Sequence, residues 1–228
     1  MLQNRDLMFS ELETIYAKMP KTLGCVSCGK CCKVQHPHCY CCEFYYIFSA
    51  IEKWTEKEKI DLHINCVANY LSNSLQKRCV FLDVNNHCTV YEYRNYNCRA
   101  FGMIPKKAYA KRVKDVKKNF PGVRLCLEKQ SDCCGGVKPE TFIGARKLDE
   151  IFDEIRNLDR GLGITEDDIN ASNNYMTFHD HFLLYTYRDS QWMLEKLTDI
   201  KTKASDKEKN EFIMAIRKNM EDVNSGTG

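Results

Sequence analysis

The sequence predicts a mainly α-helical fold, in which helices surround a loop-rich cysteine core with a small β-hairpin. Apolar residues recur at helical spacing over most of the chain, and one segment has two short apolar runs around a turn signal. All 14 cysteines lie between Cys25 and Cys134, so the composition changes near Gly135-Gly136. We therefore predict a cysteine-rich metal-binding domain over 1–136 and a helical C-terminal region packed on it over 137–224.

Helices in the N-terminal half follow from apolar spacing and from the residues that stop a helix. Pro20 ends the first of them, and Pro121-Gly122 ends a basic one. Asn85-Asn86 lies between the two short apolar runs and predicts the hairpin. The predicted helices span residues 5–19, 43–54, 56–75 and 106–119.

Every element predicted beyond Pro139 is a helix. Thr165 and Asp168 have the spacing of a capping box and predict a helix start. Further helices are predicted at 175–187, 189–200 and 205–220. Before them, one helix ending near Gly161 has its apolar face formed by Phe142, Ala145, Leu148, Ile151, Phe152 and Ile155.

The amino-acid composition indicates where the protein is located and which classes of partner are not expected. No run of 18 apolar residues exists and the first 20 residues lack an apolar signal-peptide core, so we expect a cytoplasmic protein with no membrane partner. Adjacent pairs such as Cys31-Cys32 in a chain of 228 residues favour metal binding or catalysis over a disulfide framework. The net charge is only +3, and no aromatic platform or recognised nucleic-acid motif accompanies the basic run over 106–119, so a nucleic-acid partner is not expected.

The clearest motif is a C-x-x-C-G-x-C-C run, formed by Cys25, Cys28, Cys31 and Cys32. A C-x-x-C-x-x-C spacing lets three sulfurs converge on one centre, as in iron–sulfur proteins, and Gly29 permits the tight backbone. Structural zinc also accepts four thiolates at similar spacing. The motif therefore predicts a metal site but leaves the metal open.

Downstream cysteines supply enough further sulfurs for a second centre. Neighbouring side chains of an extended segment point to opposite sides, so we expect Cys32 to serve a different centre from Cys31. Two tetrahedral sites need eight thiolates. The candidates beyond the first motif are Cys79, Cys88, Cys98 and Cys126.

These residues, C-x-x-C-G-x-C-C followed by RCVFL…CTVYEYR-x-x-x-CRAF, resemble the CxxCxxCC cysteine-cluster family over about residues 22–136. That family is described as a zinc- or iron-chelating domain, and its relatives include flagellin lysine-N-methylase. The resemblance implies metal ligation by its seven matched cysteines and places Arg99 directly after the last of them. Asn95 stands where the family has proline, and Cys126 is followed by Leu-Glu rather than Pro-Gly. The matched positions are Cys25, Cys28, Cys31, Cys32, Cys79, Cys88 and Cys98.

The other cysteines allow more than one interpretation. Cys39, Cys41 and Cys42, with His36 and His38, form either a third centre of mixed nitrogen and sulfur ligands or a set of small buried side chains.

Cys66 is predicted in the core, and Cys133-Cys134 is either a redox pair or a set of spare ligands. We expect Arg99 to support the metal electrostatically. His179 and His181 lie two residues apart on a helix, so they point away from each other and are predicted to be polar positions on a mostly buried helix.

We therefore expect a metal-binding protein with one or more iron–sulfur clusters, most simply of the 4Fe-4S type, and a redox or protein-modifying role. Zinc is the alternative metal, but the abundance of cysteines without paired zinc-finger histidines favours iron–sulfur. Two alternative functions are a structural zinc module that presents the C-terminal helices to a protein partner, and a protein-lysine methylase-like enzyme, as the resemblance implies.

Overall fold

The computed structural model of the chain confirms the mainly α-helical fold class. Of the sequence predictions, the capping box at Thr165 and Asp168 lies outside the residues it describes. Those residues are 5–23, 29, 31–33, 37–74, 78–103, 105, 107, 110–111, 114, 118, 138–161 and 175–226.

Eight α-helices have defined bounds within the described residues, and two short 3-10 helices accompany them, η1 at Cys31–Lys33 and η2 at Tyr91–Tyr93. The α-helices are α1 (Arg5–Tyr16), α2 (Cys41–Ile51), α3 (Glu56–Leu71), α4 (Tyr96–Ala100), α5 (Ala145–Arg160), α6 (Phe178–Thr186), α7 (Gln191–Lys203) and α8 (Asp206–Asn224).

Among the residues that the structure describes, four two-residue strands form two antiparallel sheets that the sequence did not predict. In the first, β1 (Thr22–Leu23) pairs with β3 (Lys138–Pro139). In the second, β2 (His38–Cys39) pairs with β4 (Met176–Thr177). Each sheet takes one strand from either side of the composition change at Gly135-Gly136. The N-terminal and C-terminal parts of the chain are therefore joined by backbone hydrogen bonds.

Local sequence accounts for where several helices begin. Thr55 and Glu58 form a reciprocal capping box at the start of α3, and Ser205 and Glu208 do the same for α8. Each box satisfies two backbone N–H groups that the first turn of a helix leaves without partners. Gly144 caps α5, so Phe142 precedes the helix and is 61% exposed instead of lying on its apolar face as predicted.

Two hydrophobic clusters meet at α2, which contributes to both. One cluster packs Phe44 and Ile47 of α2 against α3, α6 and Leu197 of α7. The other packs Cys42 and Tyr46 of α2 against α1 and α5. Because α2 has apolar residues around most of its circumference, it lies at the centre of the fold with helices on several sides.

Two other predicted elements are found where the sequence places them. Leu82 and Cys88 form an antiparallel bridge around the turn at Asn85-Asn86, as the hairpin prediction requires. The described residues of the basic 106–119 stretch (Lys107, Ala110, Lys111, Lys114 and Lys118) are helical and exposed. Among the described helices, none combines the length and apolar character needed to cross a bilayer.

Candidate metal centre and the neighbouring cysteines

Gly29 and Cys32 of the cysteine motif lie directly against the 79–88 hairpin. The backbone N–H of Cys79 donates a 2.8 Å hydrogen bond to the carbonyl oxygen of Cys32. Gly29 has a φ of +64°, and a Cβ atom added there would lie 2.1 Å from the carbonyl oxygen of Asn86. Only glycine fits such a close backbone approach at a positive φ. The first two predicted groups of cysteines are therefore neighbours in space.

The hairpin that carries Cys79 and Cys88 has its own supporting hydrogen bonds. Asp83 Oδ1 accepts a hydrogen bond of 2.7 Å from the backbone N–H of His87, and the Asp83 carbonyl oxygen accepts one from the Arg78 guanidinium. Asn86 adopts a positive φ of 64°, a conformation that asparagine tolerates better than most residues. The turn therefore presents a fixed backbone surface to Gly29.

Exposure distinguishes the described ligand candidates from three of the four other described cysteines. Four of the predicted ligands, Cys32, Cys79, Cys88 and Cys98, are partly exposed. Cys39, Cys42 and Cys66 are completely buried, so for Cys39 and Cys42 the interpretation as small core side chains is the one that their burial supports, and the core prediction for Cys66 is confirmed. Burial raises the pKa of the Cys66 thiol well above its ordinary value, and the nearby Cys79 adds to that increase.

Cys98 belongs to α4, which packs against β2. Asn95 caps α4, because its side-chain oxygen accepts a 3.1 Å hydrogen bond from the Cys98 N–H. The side-chain nitrogens of Asn95 and Asn97 both donate to the carbonyl oxygen of His38. The asparagine that departs from the family pattern therefore starts the helix that carries Cys98 and ties that helix to β2.

Arg99 makes contacts with an aromatic ring and with backbone carbonyl groups. Its guanidinium lies 4.3 Å from the centre of the Tyr16 ring. Its nitrogens donate to the carbonyl oxygens of Arg94, at 2.6 Å, and of Glu92, at 2.5 Å. These contacts connect η2 and α4 to α1, so Arg99 stabilises the backbone around Cys98.

Two buried carboxylates beside the cysteines at the start of α2 were missed in the sequence. Glu43 accepts hydrogen bonds from the Tyr16 hydroxyl and from the backbone N–H groups of Tyr40 and Tyr96. Asp159 accepts a 2.7 Å hydrogen bond from the Cys42 N–H. A signal for Asp159 was present, because it follows Ile155 by four positions and thus extends the apolar face of α5.

Only part of the predicted ligand set lies within the described residues. Cys25, Cys28, Cys126, Cys133 and Cys134 lie outside them, as does the side chain of Cys31. Within the described part of the chain, no three histidine, cysteine, aspartate or glutamate side chains are grouped so that they could hold a metal ion. Any centre with three or more such ligands would therefore include at least one residue outside the described part of the chain.

Comparisons with protein-family models, with curated proteins and with solved structures each gave no match. Membership of the CxxCxxCC family thus stays a prediction from the cysteine spacing.

Proposed function

We propose that the chain binds metal on cysteine thiolates, as one or more iron–sulfur clusters, and serves a redox or protein-modifying role. The ligands come from the 25–32 segment and from Cys79, Cys88, Cys98 and Cys126. The observation that carries the proposal is the hydrogen bond from the Cys79 N–H to the Cys32 carbonyl oxygen, 2.8 Å long. It brings two cysteine segments together although 47 positions separate these two residues (79 minus 32).

The residues at this contact suit thiolate ligation. Cys32, Cys79 and Cys88 are partly exposed, so a metal or a preformed cluster has access to the sulfurs. Gly29 lets the backbone of the motif approach the turn at Asn86 more closely than any side chain would allow. Thiolates are the preferred ligands of iron–sulfur clusters and of structural zinc, and an iron–sulfur cluster would supply electron transfer or substrate activation.

The expectation of two centres assumed an extended backbone at Cys31 and Cys32, and the structure has a 3-10 helix there instead. Cys31 and Cys32 belong to the 3-10 helix η1, in which successive positions are about 120° apart around the axis. Two adjacent thiolates on such a backbone favour different metal ions over one shared ion. The proposal therefore includes at least two centres, with Cys31 and Cys32 assigned to different ones.

Metal analysis of protein purified without oxygen tests the identity of the metal. We expect brown protein in which iron and acid-labile sulfide occur in similar amounts. Colourless protein with stoichiometric zinc would indicate structural zinc instead of an iron–sulfur cluster, because zinc is d¹⁰ and gives no visible spectrum. Protein without either metal would overturn the proposal.

Cysteine substitutions test which residues bind the metal. Cys32→Ser and Cys79→Ser should each lower the metal content and the melting temperature together, since binding free energy of a structural metal adds to folding free energy. Cys66→Ala is the matched control, because Cys66 is buried near Cys79 but is not a proposed ligand. It should keep the full metal content. With two centres, Cys32→Ser should remove only part of the metal, whereas complete loss would indicate one shared centre.

A further inference from the structure

Cys41 and His181 form a contact that the metal proposal does not use. Cys41 is the first residue of α2, and its Sγ lies 3.8 Å from Nδ1 of His181 on α6. The other ring nitrogen, Nε2, lies 2.9 Å from the carbonyl oxygen of Cys39. A carbonyl oxygen only accepts hydrogen bonds, so Nε2 carries the proton in the neutral ring. Nδ1 is then an acceptor that faces the thiol of Cys41.

The imidazole is held firmly, and Cys41 beside it is only partly buried. His181 is 4% exposed and its ring stacks on Phe44 with centroids 5.4 Å apart. Cys41 is partly exposed, whereas its neighbours Cys39 and Cys42 are completely buried. Of these three cysteines, Cys41 alone combines access from solvent with a base at its sulfur.

Charges around Cys41 favour a protonated thiol at rest. The N-terminus of α2 stabilises negative charge on its first residues. Burial and the carboxylate of Asp159 have the opposite effect and raise the pKa of Cys41 to about 12. Asp159 is completely buried, and within the described part of the chain its Oδ2 has no hydrogen-bond partner that would disperse its charge. The sulfur therefore needs a base at the moment when it reacts.

We propose that Cys41 is a modification site, at which His181 acts as the base in mixed-disulfide formation with small-molecule disulfides. The thiol proton moves to His181 Nδ1 as Cys41 Sγ attacks one sulfur of the disulfide. The sulfur–sulfur bond of the small molecule breaks, and a bond forms between Cys41 and one of its halves. The other half leaves as a thiolate and takes the proton from the imidazolium. Cys41 is oxidised and the small disulfide is reduced.

Hydroxyethyl disulfide is a suitable probe because it is small and uncharged, so the Asp159 charge does not repel it. The full-length chain would be treated briefly, quenched with acid, and digested for peptide mass spectrometry that reports the extent of labelling at each cysteine. We expect Cys41 to be labelled at least about tenfold faster than the buried Cys39, Cys42 and Cys66. Equal rates at the four positions would overturn the proposal.

His181→Gln removes the base, while its amide can still donate to the Cys39 carbonyl. We expect labelling of Cys41 to slow by at least about tenfold. This factor is smaller than the rate enhancement that a well-positioned general base usually provides. The matched control is His179→Gln on the same helix, since His179 is equally buried but contacts Thr177. It should leave the Cys41 rate unchanged. An unchanged rate in His181→Gln, or equal slowing in both variants, would refute the role of His181.

A second variant has the opposite expected effect. Asp159→Asn removes the negative charge that opposes a thiolate at Cys41, so labelling should become faster, by about threefold or more. Circular dichroism of each variant would show that the helices are intact. Because a damaged fold would expose all the buried cysteines together, labelling confined to Cys41 separates the proposed chemistry from unfolding. Slower labelling in Asp159→Asn would contradict the proposed electrostatics.

Discussion

The Asp159 carboxylate on α5 accepts a 2.7 Å hydrogen bond from the backbone N–H of Cys42 at the start of α2. One oxygen thus completes the first turn of a neighbouring helix, while the other is buried without a partner among the described residues. Burial raises the pKa of Asp159 to about 6, although the hydrogen bonds from Cys42 and Cys41 partly counteract it. The Asp159 carboxylate therefore joins two helices, but its negative charge is poorly solvated.

The free energy of unfolding should carry a pH-dependent contribution from Asp159. An aspartate in an unfolded chain titrates near 4, so between about pH 4 and 6 the folded state binds more protons. Stability from this residue is then present at low pH and falls by up to about 3 kcal/mol as the pH rises through 6. Asp159→Asn should be at least as stable as the wild type at pH 7, and its stability should depend less on pH.

Urea unfolding of both proteins at pH 4.5 and pH 7 tests this expectation. Asp149→Asn on the exposed side of α5 is the control and should change stability by no more than about 0.5 kcal/mol at either pH. An Asp159→Asn variant that is clearly less stable than the wild type at pH 7 would show that the ionised carboxylate stabilises the fold.

Glu43 should tolerate replacement by its amide poorly. Its Oε1 accepts from the Tyr16 hydroxyl at 2.7 Å and from the Tyr96 N–H at 2.6 Å, and its Oε2 accepts from the Tyr40 N–H at 3.0 Å. An amide nitrogen would meet a donor at either position. We expect Glu43→Gln to cost about 2–4 kcal/mol in urea unfolding.

Glu52→Gln is the control for Glu43, because Glu52 follows the same helix and forms an exposed ion pair with Arg5. Such pairs contribute about 1 kcal/mol or less. Equal effects of the two substitutions would mean that the three donors around Glu43 do not require a charged acceptor.

His63 should make the protein less stable in acid. Its Nε2 lies 2.7 Å from the Tyr187 hydroxyl, and burial lowers its pKa to about 4. The unfolded histidine titrates near 6.5, so in this interval the unfolded state binds more protons and stability rises with pH. We expect about 3 kcal/mol to be lost between pH 7 and pH 4.

Urea unfolding across that pH range should show a shallower dependence for His63→Gln than for the wild type. The control is His87→Gln, because His87 is an exposed residue of the hairpin. This variant should keep the wild-type pH dependence of the free energy of unfolding. A His63 variant with the full wild-type slope would contradict the prediction and assign the acid sensitivity to other groups.

Gly29→Ala should separate the cysteine motif from the hairpin. The added methyl group would lie 2.1 Å from the Asn86 carbonyl oxygen and 2.4 Å from Leu82 Cδ1, at a φ of +64°. We expect a loss of about 1–3 kcal/mol, together with a lower metal content. Thermal unfolding and metal analysis measure the two effects.

Gly144→Ala provides the comparison for Gly29. A Cβ at Gly144 would have no heavy atom of the described residues within 4 Å, and its φ of −69° suits alanine. This variant should keep its metal and lose about 1 kcal/mol or less, because glycine is a better helix N-cap than alanine. Wild-type stability and metal content in Gly29→Ala would show that the motif does not depend on the close approach.

The sequence predicts the elements that have a strong local signal. Leu148, Ile151 and Ile155 recur at helical spacing, and all three are completely buried on α5. The four strands could not be predicted, because each has two residues and its partner lies more than 100 positions away. Pairing of such short strands is decided by how the helices pack and not by residue preference.

The same contrast applies to the cysteines. The 25–32 motif predicts ligands from its spacing alone, and the contact of Cys32 with Cys79 agrees with a centre built from both segments. No pattern in the chain relates Cys41 to His181, which are 140 positions apart. His181 was predicted as a polar position on a mostly buried helix, and its contact with Cys41 became apparent only from the packing of α6 on α2.

The pairing of β1 with β3 and of β2 with β4 also bears on synthesis at the ribosome. The predicted ligands of the 25–32 motif lie between β1 and β2, yet neither strand has its partner until residues 138–139 and 176–177 have been made. In a nascent chain this cysteine segment is therefore synthesised before either flanking sheet can close. Delivery of the metal during translation would need no later opening of the folded protein.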